Sequence, residues 1–167
     1  MNQITIIVPC FNEEAVLGQF YQRMNEVLPA VEDCTFRFLF VNDGSRDGTL
    51  SIIHRLAEAD SQVSYISFSR NFGKEAAMLA GLDYAKGDAV ILMDADLQHP
   101  PELIPTMVKY WREGYEDVCA KRSDRKDEGY IKGKLTNFFY YLLQKSSRTE
   151  IQRNVGDFRL LDMRCVA

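Results

Sequence analysis

Apolar and β-branched residues gather in five short runs, at residues 4–8, 36–41, 63–68, 89–93 and 118–120. The stretches between them carry apolar residues at helical spacing: Val16, Phe20, Met24 and Val27; Leu50, Ile53 and Ala57; Leu103, Met107 and Trp111. Short apolar runs bounded by turn residues predict buried strands, and the three-and-four spacing predicts helices with one apolar face. Their alternation predicts an α/β fold: a mostly parallel sheet with right-handed crossovers, covered by helices on both faces. No repeat, low-complexity tract or linker interrupts it, and 167 residues suit one well-buried domain better than two, so residues 1–167 are expected to form one domain. In such sheets ligands bind outside the carboxyl ends of the strands, so the loops that follow the strands are read together.

The most informative loop follows the fourth run, where five apolar residues from Ala89 to Met93 lead straight into Asp94-Ala95-Asp96-Leu97-Gln98. In extended backbone, side chains two apart leave the same face, so Asp94, Asp96 and Gln98 are expected to converge at the strand's end. Two carboxylates that close call for a cation. Hard oxygen ligands in that small number suit Mg²⁺ or Mn²⁺, which keep several waters and take further ligands from substrate phosphates. Capping a helix or making a turn is the simpler use of such residues, although one Asp would suffice for it.

The other loops add Pro9-Cys10-Phe11-Asn12-Glu13-Glu14, Asn42-Asp43-Gly44-Ser45-Arg46-Asp47-Gly48-Thr49 and Ser69-Arg70-Asn71-Phe72-Gly73-Lys74. Glu13 and Asp43 are suited to accept hydrogen bonds from a ribose or a base N–H, and Phe11 to line a base. Taken singly, Asn12-Glu13-Glu14 also suits a helix start and Asp43-Gly44-Ser45 an ordinary turn. Neither GxGxxG nor the phosphate-loop pattern GxxxxGK is present, so neither a dinucleotide fold nor a phosphate-loop nucleotidase is indicated.

Composition narrows the classes further. A net charge of -4 without a broadly basic composition argues against nucleic acid as partner. Cys10, Cys34, Cys119 and Cys165 are scattered, with no CxxC pair, and fit reduced thiols in the cytosol rather than a zinc site. Met1-Asn2-Gln3 leads directly into a strand pattern without the features of a secretory leader, and no stretch approaches the roughly 20 apolar residues of a membrane span.

The ordered motifs Val8-Pro9-Cys10-Phe11-Asn12-Glu13, Val41-Asn42-Asp43-Gly44-Ser45-Arg46-Asp47-Gly48-Thr49 and Asp94-Ala95-Asp96-Leu97-Gln98 resemble those of family 2 glycosyltransferases. Ser69-Arg70-Asn71-Phe72-Gly73-Lys74-Glu75, Gln98-His99-Pro100-Pro101-Glu102 and Gly156-Asp157-Phe158-Arg159-Leu160 narrow the resemblance to the polyprenyl-phosphate branch. That branch includes dolichol-phosphate mannosyltransferase and the bactoprenol glucosyltransferases. The likeness runs through essentially the whole chain and implies a GT-A fold, a Rossmann-like, mostly parallel sheet flanked by helices. It implies inverting transfer of a hexose from a nucleotide sugar, glucose from UDP-glucose being expected, to a polyprenyl phosphate at the cytoplasmic face of a membrane.

Carried over by position, Pro9, Phe11, Glu13 and Asp43 would hold the nucleoside, with Asp43 facing the base and Glu13 the ribose. Asp94, Asp96 and Gln98 would hold Mg²⁺ or Mn²⁺ and the donor diphosphate, with Asp96 directly engaged in catalysis. Asp157 would orient the acceptor or the sugar, its use as a base staying open, because a polyprenyl phosphate is already anionic near neutrality and attacks without a strong base. Cys10 and Phe11 depart from the Thr or Met and the Tyr frequent in the family, and Asn42 from a frequent Asp.

The acceptor phosphate needs cations, and between Lys121 and Lys134 basic residues exceed acidic ones by three, Arg122 being the expected phosphate contact. A helical pattern from Tyr130 to Lys145, with Leu135, Phe138, Phe139 and Leu142 on one face, then suits either a membrane surface or its own domain's core. Gly156-Asp157-Phe158-Arg159-Leu160 reads as the start of a new element close to the chain's end. Relatives continue through more of the catalytic domain into membrane helices, so a truncated domain is expected, whose activity in isolation is open. Two other functions compete: a family 2 transferase with a soluble glycan or protein acceptor, and a phospho-switch receiver module. The receiver needs an acid in the loop after the third strand, where Ser69-Arg70-Asn71 stands instead.

Overall fold

The computed structural model describes residues 1–121 and 155–166. Met1–Cys119 with Asp157–Ala167 make one compact unit; a second, Ala120–Gly156, lies almost wholly outside the described residues. All five expected strands are present: β1 (Asn2–Cys10), β2 (Cys34–Asn42), β3 (Val63–Ser67), β4 (Ala89–Leu92) and β5 (Asp117–Lys121). A sixth, β6 (Val155–Asp162), is the element that begins near Gly156. The sheet order is β3-β2-β1-β4-β6-β5. β1 pairs in parallel with β2 and β4, and β2 with β3, whereas β6 runs antiparallel to β4, with Ala89 opposite Asp162 and Leu92 opposite Arg159. A receiver module has a different strand order. That reading is therefore excluded.

Burial explains the apolar runs. β1 is flanked by strands and covered on both faces, so Ile4, Ile6, Ile7 and Val8 are all fully buried and its sequence shows no alternation. Edge strand β3 leaves Ser64 and Tyr65 exposed. Among the described residues there are four α-helices: α1 (Leu17–Val27), α2 (Thr49–Ala59), α3 (Lys74–Tyr84) and α4 (Ile104–Arg112). On the face of Ile6, Tyr21 of α1 meets Phe38 edge-on at 5.2 Å, and α1 buries Leu17, Phe20 and Met24. On the opposite face Ile7, Leu39, Val41, Val90 and Leu92 pack around Ala77 of α3. Helices therefore cover both faces.

α3 lacks a stripe of large apolar residues because it lies so close to the sheet. A Cβ at Gly81 would collide with Cγ2 of Ile7, so small residues, Ala77 and Gly81, form its buried face. At the far side of the sheet, the buried carboxylate of Asp162 on β6 accepts a 2.8 Å hydrogen bond from Trp111 Nε1 of α4. Arg164 Nε donates 2.8 Å to the same carboxylate. These bonds, Arg164 foremost, hold the Asp162 carboxyl well below the usual carboxylate range. All four cysteines are free thiols, and among the described residues no helix is long and apolar enough to cross a membrane.

Candidate active site

At the carboxyl edge of the sheet the loops after β1, β2 and β3 hold one another. Asn12 adopts φ 58°, its N–H donating to Ser45 Oγ (3.0 Å) while its side-chain oxygen accepts from Arg46 N–H (2.9 Å). Glu13 N–H donates to Thr49 Oγ1 (2.8 Å), and Glu14 accepts from Gly48 N–H (2.8 Å). Glu13 and Glu14 thus lie in the turn ahead of α1 rather than in its first turn. Asn42 bridges outward, donating to Ser67 Oγ at the end of β3 and accepting from Ser45 N–H in its own turn.

Asp43 makes the tightest connection. It is 2% exposed, and its two carboxylate oxygens accept the backbone N–H groups of Phe72 (2.7 Å) and Gly73 (2.9 Å). Gly44, at φ +65°, lets the β2 loop press on that same segment, since a Cβ there would collide with the Arg70 backbone. The start of α3, and with it Lys74, is set by the loop after β2.

These loops and the turn after β4 enclose a pocket of about 280 Å³ lined by Pro9, Phe11, Glu13, Asp43, Lys74, Asp94 and Asp96, with Cys10, Asn71, Ala77 and Ala95 completing the wall. It lies where the sheet order turns from β1 to β4, the switch point at which open α/β sheets bind ligands. Among the described residues, four carboxylates face it against one ammonium. The crowding registers on Glu13, whose carboxyl is raised above its ordinary range by burial and then by Asp96 and Asp94. Burial pushes the Cys10 thiol far up as well, leaving it a protonated wall residue.

Lys74 is the counter-charge. Its Nζ lies 2.7 Å from Asp94 and 2.7 Å from Asp157 Oδ2, joining the β4 turn to β6. Burial alone would lower the ammonium's pKa; the hydrogen bonds it donates to Asp157 and Asp94 outweigh that and raise it. Lys74 in turn holds the Asp157 carboxyl below its ordinary range. His99 stacks on Phe158 at 5.3 Å, with Nδ1 buried, without a hydrogen-bond partner among the described residues and 4.0 Å from Asp94 Oδ2.

Six expected site residues, Pro9, Phe11, Glu13, Asp43, Asp94 and Asp96, are thus brought to one pocket. Asp157 reaches it through Lys74. The extended geometry expected around Asp94 is corrected: β4 ends at Leu92, and Asp94 to Leu97 form a turn in which Leu97 takes φ 59° and Asp96 Oδ1 accepts Gln98 N–H at 3.0 Å. The carboxylates converge through this turn, and the Gln98 side chain is not among those lining the pocket. Arg122 and the helical pattern from Tyr130 to Lys145 lie outside the described residues. Lys74 was present in the sequence motifs without an assigned role; its signal was being a cation at the end of a strand-following loop facing an all-acidic set.

No group of three or more His, Cys, Asp or Glu among the described residues is arranged to hold a metal unaided. The donor set nevertheless fits a hard divalent ion that takes its remaining ligands from a diphosphate and water. The excess of carboxylates would repel a diphosphate unless such a cation came with it.

Known proteins agree with this architecture. The chain is 47% identical over 164 residues, covering 98% of it and 53% of the relative, to the bactoprenol glucosyl transferase of Shigella phage SfV. It spans about half the length of the curated relatives it matches. Among solved structures, glucosyl-3-phosphoglycerate synthase from Mycobacterium tuberculosis, in complex with Mn²⁺, UDP-glucose and phosphoglyceric acid, superimposes with a TM-score of 0.64 at 21% identity, covering 98% of this chain and 57% of that one. A mannosyltransferase from Pyrobaculum calidifontis, in complex with GDP-Man and Mn²⁺, gives 0.64 at 22% identity, covering 96% and 44%. The sheet is the GT-A fold. With the family model for glycosyl transferase family 2 matching residues 5–166, the chain belongs to that family.

Proposed function

We propose that the full-length protein transfers glucose from UDP-glucose to a polyprenyl phosphate, in a divalent-metal-dependent reaction that inverts the anomeric carbon, at the cytoplasmic face of a membrane. The observation that carries the metal dependence is the pocket's charge among the described residues: four carboxylates and one ammonium around a space at the sheet's switch point. The acceptor and the sugar are supported by the 47% identity to a bactoprenol glucosyl transferase.

In this reading Asp94, Asp96 and Gln98 would hold Mg²⁺ or Mn²⁺, and Pro9, Phe11, Glu13 and Asp43 receive the nucleoside. When bound, the ion supplies Lewis acidity that stabilises charge on the departing diphosphate. The protein's residues do the rest. The wall of Pro9 and Phe11 orients the uridine; Asp157, held by Lys74, orients the sugar by accepting from its hydroxyls, so that C1 meets the incoming phosphate opposite the leaving group. Arg122, in the basic segment, neutralises that phosphate. No side chain needs to take a proton, because the acceptor is already ionised.

The test is a membrane assay with the full-length protein, radiolabelled UDP-glucose and a bactoprenol-type phosphate. Wild type should give an organic-extractable labelled lipid and Asp157→Asn almost none. Arg122→Ala should chiefly raise the apparent KM for the lipid phosphate, a contact present before the transition state as well as in it. Label confined to a soluble glycan or a protein would overturn the acceptor while leaving the donor site standing.

A further inference from the structure

The ammonium that lines the pocket among the described residues is held in a specific place. Lys74 opens α3, and the backbone just before it is pinned by Asp43 through the N–H groups of Phe72 and Gly73. From there Nζ reaches two carboxylates from distant parts of the chain, Asp94 and Asp157, both at 2.7 Å. Asp94 is also one of the residues that the metal reading above makes a ligand. An ammonium already at hydrogen-bond distance from that carboxylate and a divalent ion bonded to it at about 2.1 Å would stand as like charges a few ångströms apart.

We propose that Lys74 is the resident cation of the nucleotide-free site: it bridges Asp94 and Asp157, and a divalent ion must displace it from Asp94. The inference rests on the metal reading and deepens it. Displaced from Asp94, the ammonium keeps Asp157 and lies within the same pocket as the arriving diphosphate, whose oxygens replace the lost partner. The ion therefore loads poorly by itself and well with the donor. Asp157, which the ammonium shares with Asp94, sets how firmly Lys74 competes.

Mn²⁺ binding, read from the electron paramagnetic resonance signal of free Mn²⁺, tests this without turnover. In nucleotide-free protein, Lys74→Met should tighten Mn²⁺ by about tenfold, and Lys74→Arg should stay near wild type. Loss of a merely structural lysine would weaken binding instead. Lys74→Gln, which removes the charge and keeps a polar end, serves if the Met variant does not fold. Asp157→Asn should weaken Mn²⁺ severalfold by leaving Lys74 to Asp94 alone, and that weakening should vanish once Lys74 is replaced. Equal Mn²⁺ affinity in wild type and both uncharged variants would overturn the proposal, as would an Asp157→Asn effect that persists without Lys74. Wild type that binds no Mn²⁺ even with UDP would overturn the metal reading and this inference with it.

Discussion

Asp43 illustrates how a residue's surroundings enlarge the role its type suggests. As an acid after β2 it suits base recognition, and it does line the pocket. Yet it is buried, and both its oxygens already accept backbone N–H groups of the β3–α3 loop. Asp43→Ala therefore removes a clamp as well as a pocket acceptor. Nucleotide-free protein carrying that change should lose on the order of 1–3 kcal/mol of unfolding free energy, measured by urea denaturation, and should bind UDP more weakly. Unchanged stability would show that the loop does not depend on the carboxylate. This second role was hidden in the sequence because Phe72 and Gly73 offer backbone groups, whose donors carry no residue signature.

At the scale of elements, α4 and β6 are tied together at the carboxylate of Asp162. Asp162 lies 8% exposed between Trp111 and Arg164. Its folded pKa is depressed, so its contribution is complete above the unfolded value near 4 and is lost as pH falls through the lower folded value. Acid unfolding should accordingly differ between wild type and Asp162→Asn. Wild type should lose stability steeply below about pH 4, and the variant should start less stable at pH 7 and lose less on acidification. Parallel pH profiles would remove Asp162 from the account. Helix α3 teaches a complementary point: its buried face of Ala77 and Gly81 follows from close approach to Ile7. Apolar spacing cannot announce such a helix, because the contact demands small side chains rather than large ones.

For the whole molecule, the charge of the pocket ties ligand binding to metal. With Mn²⁺ present, UDP at about 100 times its dissociation constant should raise stability by roughly 2.7 kcal/mol, seen as an upward shift in Tm. Excess EDTA should abolish most of that shift, and Asp96→Asn should do the same in the presence of Mn²⁺. An equal shift with EDTA would mean that the four carboxylates accept a diphosphate unaided. GDP in place of UDP probes the nucleoside wall independently of the metal.

The alternating pattern by itself determined the α/β class, the five strands and the edge at which the loops meet, because burial on both faces leaves continuous apolar runs that local sequence records. It also determined which acids stand after which strand, hence the pairing of Asp94 with Asp96 and the lack of an acid after β3 that counts against a receiver. Only the tertiary structure decided that β6 enters antiparallel beside β4, that the Asp94 turn leaves the extended path, and that Lys74 stands between Asp94 and Asp157. The β6–β4 pairing and the Lys74 bridge are contacts between segments far apart in the chain, 83 residues for Lys74 and Asp157, and the turn depends on the left-handed backbone of Leu97, which the residue type does not announce. A residue's charge is written in the sequence; the partner that balances it is chosen by the fold.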